Sequence, residues 1–256
     1  MNKNKVLRII LIVVAVIALC VIAYCGWYLF QYWQGHRLNE QLQQNWKASE
    51  VEADTEVETV KIPVDFEALW EVNPEIYAWI YIPGTDISYP VLQHAGDNNY
   101  YIRRSEEGSY FTGGCIYTEN YNNKDFTDRM TVLYGHNLRS GKMFAQLNDF
   151  ADARFFDQHR FFYIYLPDRE LVYEIFAAYP HAHEHLLLNH DFDVKEDYDA
   201  FFADVLSDRS LKANFVEGVV PNFDTDRVVT LSTCLRGNDQ QRFLVQGILV
   251  NEIPGE

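Results

Sequence analysis

The sequence predicts a mainly β fold with added helices, a closed barrel or a sandwich, and three observations carry that expectation. Short runs of β-branched and aromatic residues recur at close spacing beyond residue 75. Aromatic residues make up 15% of a composition that is 48% hydrophobic, which describes a folded core rather than a disordered chain. Only two later segments, Lys142 to Phe150 and Asp197 to Leu206, show helical spacing of their apolar residues. The 256 residues leave room for a short accessory segment and one domain of roughly 200 residues.

The accessory segment comes first. Lys3, Lys5 and Arg8 precede an uncharged stretch from Ile9 to Phe30, which at about 1.5 Å per helical residue spans a hydrocarbon core of roughly 30 Å. Trp27, Tyr28, Tyr32 and Trp33 supply an interfacial aromatic belt. A cleaved signal peptide would have a shorter apolar region ending in small residues, so the stretch reads as an uncleaved, single-pass anchor with its N-terminus inside. Residues 1–37 are thus expected to form a cytoplasmic tip and transmembrane signal anchor. Residues 38–60, with acids at Glu50, Glu52, Asp54, Glu56 and Glu58, form a polar stalk, and residues 61–256 form an extracytoplasmic domain.

Within that domain, Asp65 caps a short helix from Phe66 to Val72 that Asn73-Pro74 ends. Strands are expected at Trp79–Ile82 and, after the Pro83-Gly84-Thr85-Asp86 turn, at Ile87–Leu92, where Pro90 suggests an edge. Short strands follow at Cys115–Tyr117 and Thr131–Tyr134. Phe161–Leu166 and Leu171–Tyr179 form a hairpin around Pro167-Asp168-Arg169. The last two strands, Val228–Cys234 and Phe243–Val250, flank a polar loop at Arg236–Gln241. Tyr198, Phe201, Phe202 and Val205 make the stripe of a helix packed on a sheet.

The chain carries a formal charge of −16, and residues 1–37 hold four cations and no acids, so the region beyond the anchor carries −20. So acidic an external domain excludes nucleic acid as a partner. Only Cys115 and Cys234 lie outside the anchor. They are free thiols, functional or buried, or they pair with each other, and a permanent bond would remove any nucleophilic role for Cys234.

Chemistry concentrates at the last two strands. If they pair as a hairpin, Cys234 and Arg242 face one another, and a thiol lies beside a permanent cation able to hold a developing oxyanion. The bland alternatives are a small hydrophobe at a strand end and a surface ion pair of Arg242 with Asp239. His136, in Tyr134-Gly135-His136-Asn137, supplies an imidazole suited to acid–base work on a leaving amine. His181, His183, His185 and His190 with Glu184 have spacing that zinc could use, but Pro180 breaks the preceding strand and no cysteine is near. The stretch reads as a polar loop over the cleft, and no metal or other cofactor is expected.

Several separated segments resemble the class B sortases, membrane-anchored cysteine transpeptidases of Gram-positive bacteria. They are Asn73 to Thr85, Tyr89 to Gln93, Asp97 to Tyr101, Tyr134 to Asn137, Met143 to Ala145, and Thr230 to Cys234 with Arg242 beyond. The resemblance runs from about Ile62 to Val250. It implies an eight-stranded β-barrel with an N-terminal helical segment and a helix between strands six and seven. It also implies cleavage of a C-terminal sorting motif of the Asn-Pro-x-Thr type through a thioacyl enzyme, and transfer of surface proteins to a peptidoglycan amine. A pilin-polymerising or hydrolytic thiol enzyme of the same fold, or a non-catalytic surface scaffold, is the alternative. Carried over, Cys234 is the nucleophile, His136 the acid and base, and Arg242 the oxyanion partner. Asn98, Ile102, Tyr134, Ser232 and Thr233 fall where the motif binds. Leu235 departs from the pattern, since a polar or acidic residue is familiar after the cysteine.

Overall fold

The computed structural model describes residues 11–27, 30, 59–208 and 210–256. Helix α1 (Phe66–Val72) begins where the Asp65 carboxylate accepts a hydrogen bond from the Ala68 amide at 3.0 Å. It ends at extended Asn73, whose amide still donates to the Leu69 carbonyl. Both boundaries match the local signals.

Nine strands follow in chain order: β1 (Ile76–Tyr81), β2 (Ser88–Leu92), β3 (Ile116–Thr118), β4 (Met130–Tyr134), β5 (Phe161–Tyr165), β6 (Arg169–Ala182), β7 (Asn214–Phe215), β8 (Val228–Leu235) and β9 (Asn238–Pro254). Their order in the sheet is β5-β1-β2-β3-β4-β8-β9-β6-β7, and β5 also pairs with β6. That extra pairing closes eight strands into a barrel, while two-residue β7 extends the β5 side of β6 at Ala177 and Ala178. Closure leaves no long unpaired edge among these strands. The helices are α2 (Ala153–Gln158), α3 (Leu186–Asn189) and α4 (Lys195–Ser207). The last two lie between β6 and the next barrel strand, as the resemblance implies.

The barrel interior is filled by Ile80, Val91, Leu133, Phe162, Tyr173 and Val245, all fully buried or nearly so. A second cluster lies between α4 and the outer face of the sheet, where Tyr198, Phe201, Phe202 and Val205 meet Phe176, Tyr179 and Leu244. Each buried side chain of that stripe contributes about 2 kcal/mol. A 13-residue helix needs that packing, because so short a helix is marginal in water. On the other side α1 inserts Phe66 and Leu69 against Ile76, Trp79 and Tyr165.

Four local expectations are corrected. Lys142 to Phe150 is not an α-helix: Met143 has φ 59° and a 3₁₀ helix covers Ala145–Ala151. Pro180 does not break β6. It pairs with Phe243, and beyond Ala178 the strand has a neighbour on one side only, so the missing N–H costs no ladder bond there. Pro90 lies in a strand with neighbours on both sides, yet β3 reaches only Val91 and Leu92, so at Pro90 that side is open. The loop expected at Arg236–Gln241 shrinks to Arg236-Gly237, with Gly237 at φ 85°, because β9 starts at Asn238 opposite Leu235.

Residues 11–27 are helical with exposed side chains. Among the described residues no helix is long and apolar enough to cross a membrane. Residues 9, 10, 28 and 29 of the expected span, and positions 38–58 of the expected stalk, lie outside the described residues. Val60 bridges Gly255, and its amide donates to the Pro254 carbonyl at 2.8 Å.

Candidate active site

Strand register assembles the site. β4 and β8 run parallel with Tyr134 opposite Ser232, and the Gly135 amide donates to the Ser232 carbonyl at 3.1 Å. His136 and Cys234 each lie two residues past that pair, at the same end of adjacent strands. β8 and β9 are antiparallel, and Cys234 stands opposite Arg242. β6 continues the series with His181 opposite Arg242. Four neighbouring strands therefore present His136, Cys234, Arg242 and His181 in sequence along one rim of the barrel.

Arg242 Nη1 donates to Cys234 Sγ at 3.3 Å and to the Asp239 carbonyl at the same distance. The Asp239 contact is to backbone, and among the described residues Arg242 forms no ion pair with a carboxylate. The guanidinium is thus committed to the thiol and the turn. His136 Nε2 lies 2.7 Å from the Ile102 carbonyl. A carbonyl only accepts, so Nε2 carries the hydrogen and Nδ1 is left for proton exchange. Glycine precedes His136 for a steric reason: a Cβ at position 135 would lie 2.5 Å from Ile116 and 2.7 Å from the Phe144 ring. Its φ is not positive, so packing rather than backbone freedom requires it.

A cavity of about 80 Å³ opens here, lined by Ile102, Tyr117, Tyr134, Gly135, His136, Ser232, Thr233, Cys234 and Arg242. It gathers every expected site residue except Asn98, whose carboxamide oxygen instead accepts from the Asn120 amide at 2.7 Å. Tyr117, expected only as a strand residue, stacks on Tyr134 with centroids 5.5 Å apart. Burial, with Glu119 nearby, holds both phenols above their usual range.

Three further residues escaped the sequence reading. Asn137 and Asn148 both donate to the Cys234 carbonyl, at 3.0 and 3.2 Å, and Asn148 accepts from the Arg236 amide at 2.7 Å. Arg236 reaches Asp149 and the Ala145 carbonyl. The hairpin tip is thereby fastened to the 3₁₀ helix, and Leu235, the departure noted after the cysteine, is 6% exposed and packs into the barrel core. A polar amide between two apolar runs carries no signal of such a contact.

Cys115 and Cys234 are both free, so the disulfide considered from sequence does not form, and with it goes the basis of a disulfide-linked scaffold. The side chains of the histidine stretch are engaged by carboxylates: His181 meets Glu184 at 2.7 Å, His185 meets Glu119 at 2.9 Å and His190 meets Asp197 at 3.3 Å. Among the described residues no group of metal-ligating side chains converges.

The Sortase domain family matches residues 80–250, a span that contains the whole of this rim. The curated Sortase B of Listeria monocytogenes is 30% identical over 186 residues, covering 72% of this chain and 73% of the relative. The chain belongs to the class B sortases. It is therefore a cysteine transpeptidase. Among solved structures it is similar to sortase B from Bacillus anthracis, with TM-score 0.69 and 27% identity over 87% of this chain and 99% of that one. Sortase B of Clostridium perfringens gives TM-score 0.65 and 30% identity over 73% of this chain and 100% of that one.

Proposed function

We propose that this sortase cleaves an Asn-Pro-x-Thr type sorting motif and joins the released protein to a peptidoglycan amine, with Cys234, His136 and Arg242 performing the chemistry. The register that aligns these three side chains on β4, β8 and β9 supports the reading more than any other observation. The Cys234 thiol gives its proton to His136 Nδ1 as its sulfur bonds to the motif threonine carbonyl carbon. The carbon–nitrogen bond breaks, and the leaving amine takes a proton from His136. The acceptor amine then attacks the thioester, passes a proton to His136, forms the new amide and releases the sulfur. In both steps negative charge develops on the carbonyl oxygen, and the Arg242 guanidinium, already at the sulfur, donates to it. Ile102, Tyr134, Ser232 and Thr233 form the wall against which the motif packs, while Asn98 contacts it only if its bond to Asn120 is exchanged.

Residues 1–37 anchor the chain, and residues 38–60 hold the catalytic domain away from the membrane on its outer side. Support comes from the apolar composition from Ile9 to Phe30, the preceding cations and the helix at residues 11–27. The reaction is tested by mixing the protein with Asn-Pro-x-Thr peptides and an amine and reading intact mass. A peptide-sized thioester on the wild type, absent from Cys234→Ala, is expected. No adduct with any such peptide, despite a free thiol, would reject the motif. Hydrolysis unaffected by the amine would reject the transfer.

A further inference from the structure

The histidine stretch is absorbed neither by the barrel nor by the three reacting side chains. It leaves β6 at His181, opposite Arg242, and returns to the domain at His185, against β3 and β4. Two walls of the pocket are thus its two end points. At the far end stands Glu119, directly after β3, only 8% exposed. Its carboxylate accepts from the Tyr134 hydroxyl at 3.1 Å and from His185 Nε2 at 2.9 Å. His185 also sets its ring edge-on to Tyr121, with centroids 5.9 Å apart. Short helix α3 starts at the next residue, and the amides of Leu188 and Asn189 donate to the His185 carbonyl.

We propose that Glu119 and His185 are positioning residues for substrate selection, tying the segment after β6 to the pocket wall through Tyr134. This rests on the sorting-peptide reading above and names the device that shapes that pocket. A carboxylate so nearly buried must be satisfied, and its two oxygens are satisfied by groups from different parts of the chain. Tyr134 cannot hold its hydroxyl toward Glu119 without drawing its ring against the pocket. His185 cannot reach Glu119 without bringing the segment down beside that ring. Neither residue touches the sulfur, so loosening the tie acts on peptide binding rather than on the chemical step.

The test uses the full chain in detergent, with three variants. His185→Phe keeps the ring and its contact with Tyr121 but removes the donor. It is expected to raise KM for an Asn-Pro-x-Thr peptide about fivefold with kcat within about twofold. His185→Gln, which retains an N–H donor, is expected to restore KM to within about twofold of wild type. Adding Glu119→Gln to His185→Phe is expected to raise KM little further, because both act on one contact. An unchanged KM in His185→Phe, a fall in kcat alone, or no rescue by glutamine would overturn the proposal. Amide hydrogen exchange supplies a readout that needs no turnover: residues 183–190 should exchange about tenfold faster in His185→Phe than in wild type. If the wild type turned over no such peptide, the motif would be wrong, and the exchange comparison would still decide the tie. Equal exchange in the two proteins would overturn it.

Discussion

Cys115 lies just before β3 and Cys234 near the end of β8, and the two thiols meet opposite surroundings. Cys115 is 1% exposed and donates to the Arg104 carbonyl at 3.2 Å. Burial, reinforced by Glu106, holds it well above the usual thiol range. Cys234 is half-buried, with a guanidinium on its sulfur and two carboxamides on its carbonyl. Residue type is the same, and position in the barrel decides the chemistry: a thiol inside the packing is inert, while one at a strand end beside a cation is accessible and supported.

Exchange of each thiol for alanine breaks the comparison most sharply. Cys234→Ala is expected to lose all thioacyl formation, whereas Cys115→Ala keeps kcat within about twofold and loses on the order of 1 kcal/mol of stability. Mass-detected peptide turnover and urea unfolding read the two effects. A Cys115→Ala protein without activity would contradict the contrast.

The environment of Cys115 offers the next largest effect. Burial raises the Glu106 carboxyl to about 7 from an ordinary value of 4.5, so between those values the folded protein keeps a proton that the unfolded chain has released. Stability from this group is complete below the unfolded value and is lost as pH rises through about 7. The loss amounts to about 3 kcal/mol at 1.36 kcal/mol per pH unit. Unfolding curves at pH 4 and pH 8 should differ by about that amount more in wild type than in Glu106→Gln. An identical pH response in both would remove the charge-averse account of this region.

At Cys234 the cation is the part to test. Arg242→Lys keeps the charge but loses the planar donor geometry, and a fall of about 100-fold in kcat/KM is expected. Turnover at the wild-type rate would exclude the oxyanion role. Smallest is the fastening of the hairpin: Asn148→Ala removes one of two donors to the Cys234 carbonyl and the acceptor for the Arg236 amide. About a tenfold loss in kcat/KM is expected, with a Tm drop of a few degrees. Unchanged kinetics would leave Asn137 sufficient by itself.

Much of this was legible before any coordinates. The Asp65 cap and the Asn73-Pro74 stop act within a few residues, so α1 was readable to its ends. The stripe of Tyr198, Phe201, Phe202 and Val205 announced α4 by period alone. Two apolar runs separated by a short polar segment announced the β8–β9 hairpin, and with it the facing of Cys234 and Arg242. His136 stood out as an imidazole after an apolar run, and the motif resemblance joined it to Cys234 and added most of the pocket wall. Pro180 misled, because whether a strand tolerates a missing N–H depends on which side has a neighbour. The 3₁₀ helix at Ala145–Ala151 misled as well, since apolar spacing does not distinguish it from an α-helix over so few residues.

By itself, the sequence determined most of the elements, the β8–β9 hairpin and the candidate thiol, imidazole and guanidinium, because propensity, capping and period are properties of neighbouring residues. Only the tertiary structure decided the parallel register of β4 on β8 that sets His136 level with Cys234. It alone placed Asn148 under the hairpin tip, and it alone joined Glu119 to Tyr134 and His185. Those contacts link residues far apart in the chain. They form because a closed barrel brings its strand ends to one rim and because buried carboxylates and carbonyls must find partners there.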